Sequence, residues 1–157
     1  MELKSFYTVR FSDCDPFQHL NNARYLDYMI NAREDHLKEF HGLDLAEFAK
    51  QGIGWVVSSH EIQYIKPARY NEGICIHSRL LEASENHLLV EVRMMDMKES
   101  HNKAVLWTRF SPVSIVTGKR IPHPDEFYAF TQKVLQPVTE GTIKERVANI
   151  ILAQKAA

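Results

Sequence analysis

The chain has 157 residues, 45% of them apolar and 25% charged, a length and balance that suit one globular domain with a buried core. Nineteen Lys+Arg against twenty Asp+Glu leave a formal net charge of −1, so no basic surplus exists to hold a nucleic-acid backbone or an anionic membrane surface. Apolar runs are too short for a transmembrane helix or a signal peptide, and Cys14 and Cys75 are too few for a disulfide framework, which predicts a cytoplasmic protein.

Residues 3–11 alternate, with Leu3, Tyr7, Val9 and Phe11 on one side and Lys4, Thr8 and Arg10 on the other, and this predicts a half-buried strand. Residues 12–20 break every period and read as a loop. From Asn22 the spacing of Leu26, Met29, Ile30, Leu37 and Phe40 predicts a helix, capped by Asn21 or Asn22 and ended by Gly42. Asp44 and Glu47 are spaced as a capping box for a second, short helix that Gly52 closes.

Four strand-like runs follow, at 55–65, 73–82, 87–97 and 103–116, and the short polar segments between the last three favour antiparallel hairpins. Pro67 ends the first run, and Pro112 inside the last predicts a bulge or an edge position. A turn at 117–119 returns the chain to a short strand at Arg120 and Ile121. Pro124, Asp125 and Glu126 suit a helix start, with Phe127, Phe130 and Val134 behind them, and Pro137 breaks that helix. Residues 142–155 then carry Ile143, Val147, Ile150 and Ile151 on one stripe. This order predicts an α+β domain over 1–122 in which an antiparallel sheet covers one long helix, with a helical extension over 123–157 packed on it.

The sequence contains no G-x-G-x-x-G, no G-x-x-x-x-G-K-[ST] and no G-x-S-x-G, so dinucleotide, P-loop and nucleophile-elbow chemistry have no support. Eight histidines occur without metal-ligand spacing; no cofactor is expected, and only a metal site assembled from distant residues stays open. What stands out is Asp13-Cys14-Asp15-Pro16-Phe17-Gln18-His19-Leu20-Asn21-Asn22, a loop of carboxylates, a histidine and amides that feeds into a helix N-terminus. Such a terminus offers unpaired N–H groups to a developing oxyanion, and a nearby carboxylate can attack a carbonyl or deprotonate water. The same residues equally suit a helix cap and a buried hydrogen-bonding histidine. Cys14 is rejected as a nucleophile, because the flanking carboxylates disfavour its thiolate.

The pattern Asp13-x-Asp15-x-x-x-His19-x-Asn21-Asn22-x-x-Tyr25, after a strand and opening a long helix, resembles the signature of the hot-dog-fold acyl-CoA thioesterases of the 4-hydroxybenzoyl-CoA thioesterase type. The segment Tyr64-Ile65-Lys66-Pro67-Ala68-Arg69-Tyr70 is similar to that family's strand ending, and the resemblance covers about residues 1–130. It implies a sheet wrapped around the helix, protomers joined edge to edge as a homodimer or homotetramer, and active sites across the interface. It implies Asp15 as nucleophile or general base, a backbone N–H near Asn22 as the carbonyl-polarising donor, and His19 and Asn21 as polar residues shaping the site, with Tyr25 closing the motif. Gln18 departs from the glycine of many relatives, and Ile30 and Asn31 stand where many have acidic residues, with Glu34 a poor substitute.

A thioester carbonyl is electrophilic and a thiolate leaves readily, so a carboxylate and an oxyanion donor suffice without a triad. Lys66 and Arg69 are candidates for the phosphates of coenzyme A, and Trp55, Val56 and Val57 for an acyl pocket, although a solvated strand end and core packing explain them equally well. The expected substrate is the thioester of an acyl-CoA or acyl carrier protein. The rival readings are a hydratase or dehydratase acting on acyl thioesters and a non-catalytic acyl-thioester binding module.

Overall fold

The computed structural model describes residues 3–157; Met1 and Glu2, at the start of the expected first domain, lie outside the described residues. The elements are β1 (Leu3–Thr8), α1 (Tyr25–His41), α2 (Leu45–Lys50), β2 (Ile53–Tyr64), β3 (Gly73–Ser84), β4 (His87–Asp96), β5 (Asn102–Ser114), α3 (Asp125–Val134) and α4 (Ile143–Ala156). The strands form one antiparallel sheet in the order β1-β3-β4-β5-β2. Short turns make hairpins of β3–β4 and β4–β5; the longer segment around α1 carries the chain from one sheet edge, β1, to the other, β2, and the segment after β2 returns it to β3 beside β1.

The first strand is shorter than its alternation predicts. Val9 is fully buried, but Phe11 sits in a 3-10 turn (Phe11–Asp13) and is 78% exposed, because the chain bends away from the sheet once Val9 has bonded the segment at 71–72. Helix α1 is also rotated from the expected stripe. Its buried face is Tyr25, Met29, Ala32, Arg33 and His36, whereas Leu26, Ile30, Leu37 and Phe40 are only partly covered. Gly42 closes α1 at φ +63, its N–H bonding the Lys38 carbonyl at 3.1 Å, and a left-handed residue there favours glycine. The capping box of α2 is half made: Asp44 accepts from Ala46 N–H, but the Glu47 carboxylate pairs with Lys50.

Strands β4 and β5 are buried on both faces, which is why their sequences run apolar without alternation. Ile76, Val90, Val92, Met94, Ala104 and Leu106 face α1, joined by Phe127 of α3. Leu81, Leu89, Val105 and Trp107 face the other way and are covered by Ile143, Val147 and Ile150 of α4. Glu91 points to this outer face. It is 1% exposed and accepts from Arg146 Nε (2.8 Å), Arg146 Nη2 (3.0 Å) and Trp107 Nε1 (3.0 Å). Pro112 occupies an edge position: β4–β5 pairing ends at Phe110, so its missing N–H breaks no ladder bond to β4. Register shifts lie elsewhere, on β2 between Val57 and Ser59, on β3 between Leu80 and Glu82, and in the β4–β5 ladder between Met94 and Met95.

Candidate functional site

The loop between β1 and α1 is a tight turn that aims one carboxylate. Gln18 N–H bonds Asp15 O at 3.0 Å and Asp15 N–H bonds His19 O at 2.8 Å, so 15–19 form a small hairpin. Gln18 closes it at φ +60, the left-handed conformation for which glycine is better suited. Within it, Asp15 Oδ1 accepts from Phe17 N–H at 2.9 Å and His19 N–H at 3.1 Å. Among the described residues Oδ2 takes no hydrogen bond, so one oxygen fixes the carboxylate and the other is unpaired.

Asp13 is engaged differently. Its Oδ2 accepts from Tyr28 Oη at 2.5 Å, and the same phenol accepts from Arg10 N–H. Cys14 donates its thiol to Arg10 O at 3.3 Å, and burial followed by the Asp13 and Asp15 charges pushes that thiol above its ordinary pKa. It is a protonated filler, in line with its rejection as a nucleophile.

The helix start lies on the same cleft. Asn21 Oδ1 accepts from Ala23 N–H at 2.9 Å and Asn21 O accepts from Arg24 N–H, which together satisfy the 3-10 turn Asn22–Arg24 that leads into α1. Among the described residues Asn22 N–H has no partner, while Asn22 O accepts from Tyr64 Oη at 2.8 Å. Asp15, His19, Asn22, Tyr25, Tyr64 and Lys66 share one cleft of about 160 Å³. Asp15, with one carboxylate oxygen unpaired among the described residues, and Asn22, at the start of the turn into α1, thus line the same cleft.

A family model described as the thioesterase-like superfamily matches residues 9–131. The chain belongs to this superfamily. The long-chain acyl-CoA thioesterase FadM of Escherichia coli (strain K12) is 35% identical over 72 residues, 46% of this chain and 53% of the relative, so the chain spans about half the length of the curated relative it matches. Among solved structures, the hypothetical protein TT1821 from Thermus thermophilus is 25% identical with a TM-score of 0.76 over 87% of this chain and 99% of that one. The DHNA-CoA thioesterase from Staphylococcus aureus superposes with a TM-score of 0.77 at 19% identity, over 84% and 90% of the two chains. The sheet wrapped around α1 is the hot-dog fold that the sequence resemblance implies.

Within this member of the superfamily the expected site residues divide. Tyr25 lines the cleft floor as a buried wall: it is 2% exposed, packs edge-on against Tyr64 at 5.0 Å, and its oxygen accepts from Ala68 N–H. Asn21 is spent on the helix cap. Arg69 lies outside the cleft lining and donates to His19 Nε2 at 3.2 Å, which makes Nε2 an acceptor and puts the ring proton on Nδ1. Arg69 therefore orients His19.

Trp55 is also outside the cleft. It stands nine residues before Tyr64 on β2, about 30 Å along an extended strand. Its Nε1 donates to His123 Nδ1 at 3.2 Å, and with Val57, Phe110 and Phe127 it lines a second, mainly apolar cavity of about 300 Å³. Tyr64 is the cleft residue that sequence reasoning passed over. Its only signal was its place at a strand end before Pro67. Lys103 and Glu72 were passed over too: Lys103 Nζ, 2% exposed, bonds Glu72 (2.9 Å) and Pro67 O (3.1 Å) and braces the 67–72 wall beside the cleft.

Proposed function

We propose that the chain is a thioester hydrolase acting on an acyl-CoA or acyl carrier protein thioester. The observation that carries this reading is Asp15: one carboxylate oxygen is anchored by two backbone N–H groups, the other has no partner among the described residues, and Asp15 lines the same cleft as Asn22 at the helix start. In the reaction, Asp15 Oδ2 either attacks the thioester carbonyl carbon or takes a proton from a water that does so. The carbonyl oxygen gathers negative charge opposite Asn22 N–H, the C–S bond breaks, and the thiolate departs. Water supplies the oxygen of the released acid, directly or by hydrolysing the acyl–Asp15 anhydride. Lys66, exposed at the cleft, suits the phosphates of the carrier. Two free thiols fit a reducing, cytoplasmic setting.

The working unit in this reading is a dimer paired through β2. That strand is a free edge of twelve residues, with Val56 46%, Val57 42% and Tyr64 44% exposed. Antiparallel pairing of two copies about the strand midpoint sets Trp55 of one copy opposite Ile62 of the other. The apolar cavity of one chain then lies beside the cleft of its mate, which gives Trp55 the acyl-lining role expected from sequence.

The test is release of free thiol from a panel of aliphatic and aromatic acyl-CoAs. Asp15→Asn keeps an oxygen for the Phe17 and His19 N–H groups but is neither a good nucleophile nor a base, so kcat is expected to fall by at least about 100-fold with the far-UV spectrum unchanged. Near-normal turnover in that variant, or no thiol from the parent on any thioester, overturns the proposal.

A further inference from the structure

Beside the C-terminal half of α1, where Arg33 and His41 lie, is a cavity of about 310 Å³ whose charged lining is all cationic, Arg33, Arg79 and Lys133, with His41 held neutral by burial and by Arg33. It shares no lining residue with the cleft. Arg33 is 9% exposed, and the bond that holds it is a neutral one, Nη1 to Ser78 Oγ at 3.0 Å. Among the described residues no carboxylate pairs with it. Ser78 Oγ–H donates to His36 Nδ1 (2.6 Å) and His36 Nε2 bonds Ser5, so the side chains that hold Arg33 from beneath are neutral and bring no counter-charge.

A desolvated guanidinium without an anion is costly, and burial lowers Arg33 only to about 10, leaving it a cation at neutral pH. Glu91, the carboxylate nearest Arg79 at 4.0 Å, is already held by Arg146. The surroundings of Arg33 also set the shape of what it lacks. Arg33 and Leu80 line both this basic cavity and the apolar one that contains Trp55, Phe110 and Phe127. In the apolar cavity the carboxylate of Glu34 is turned to Lys38 at 3.8 Å.

We propose that Arg33 is the anchor of a binding site for an amphipathic carboxylate, with the carboxylate in the basic cavity against Arg33, Arg79 and Lys133 and the hydrocarbon body along Leu80 into the apolar cavity. The carboxylate site does not depend on the hydrolysis reading, but its hydrocarbon body occupies the apolar cavity given an acyl-lining role above, so such a ligand would compete with a substrate's acyl chain there.

Calorimetric titration of the purified full chain with decanoate, decanol and inorganic phosphate tests it. Decanoate is expected to bind, decanol at least about 10-fold more weakly, and phosphate neither to bind nor to displace decanoate. Arg33→Met should weaken decanoate by at least about 10-fold and Asp15→Asn should leave it unchanged. If Arg33→Met does not fold, Arg79→Gln combined with Lys133→Gln, both at the cavity rim, is expected to weaken binding several-fold. No decanoate binding by the parent, equal binding of decanol, displacement by phosphate, loss of binding in Asp15→Asn, or unchanged binding in a folded Arg33→Met or in the rim double variant overturns the assignment.

Discussion

Replacing Arg146 by Met should cost far more than loss of a surface ion pair, because it strands Glu91. The Glu91 carboxylate is 1% exposed and takes both N–H groups of Arg146 at 2.8 and 3.0 Å; without them it keeps Trp107 Nε1 and, at 4.0 Å, Arg79 Nε. Breaking a buried pair from one side typically costs about 3–5 kcal/mol, and the nearby Arg79 puts this case at the lower end, about 3 kcal/mol. For a chain of this size that corresponds to a melting temperature lower by about 6–12 °C. Urea unfolding followed by circular dichroism measures the loss directly. Adding Glu91→Gln to Arg146→Met removes the stranded charge but leaves an acceptor for Trp107, and should recover more than about 1 kcal/mol. Burial alone lowers the Arg146 pKa, but its bonds to Glu91, with Glu140 nearby, more than offset this and raise it above the ordinary arginine value. A raised folded pKa gives stability that is present below the unfolded value and lost only above it, so the loss should be the same at pH 6 and pH 8. A single variant losing less than about 1 kcal/mol, or a double variant less stable than the single, refutes this reasoning.

Burial, reinforced by the charge of Arg33, holds His36 down to about 4 against an ordinary value near 6.5. The unfolded chain then binds more protons between those values, so stability should fall by about 3 kcal/mol as pH drops from 6.5 to 4. Urea midpoints at pH 7, 5 and 4 check this, and an unchanged slope in His36→Gln contradicts it. Gln18→Gly should raise stability by about 0.5 kcal/mol, since relief of a left-handed non-glycine at φ +60 outweighs the added freedom of the unfolded chain; a lower urea midpoint would count against the strain at that turn. Val57→Lys places a charge on the free β2 edge and should shift the mass seen by light scattering from dimer to monomer at micromolar concentration, whereas an unchanged mass argues against pairing through β2.

The sheet and helices were legible because local pattern marks them: the strand-like runs at 73–82, 87–97 and 103–116 with short polar segments between them, and the Ile143, Val147 and Ile150 stripe, stand in the chain as written. The face of α1 was harder to read. An apolar period passes over Arg33 and His36, yet these are buried because Ser78 and Ser5 on neighbouring strands satisfy them, and those bonds span 45 and 31 residues. The candidate site divides in the same way. Asp15 and Asn22 are close in sequence and their relation is set by local turn chemistry, so they could be found. Tyr64 and Lys103 reach the cleft wall only through sheet register, and Trp55 is separated from the cleft by a strand length that residue type does not encode.

By laying α4 over Leu89, Val105 and Trp107, the chain caps the outer face of its own sheet. Those outer-face side chains are packed against Ile143, Val147 and Ile150 and are not offered to a second pair of protomers in the proposed dimer. Its remaining long unpaired valence is the β2 edge, because β1 at the opposite margin is only six residues long and is tied to α1 through Ser5–His36 and Tyr7–Asp35. One self-complementary edge closes on itself after two copies. In the dimer proposed above, the tail helix would thus hold the assembly at two copies, and no α4 residue lines the Asp15 cleft.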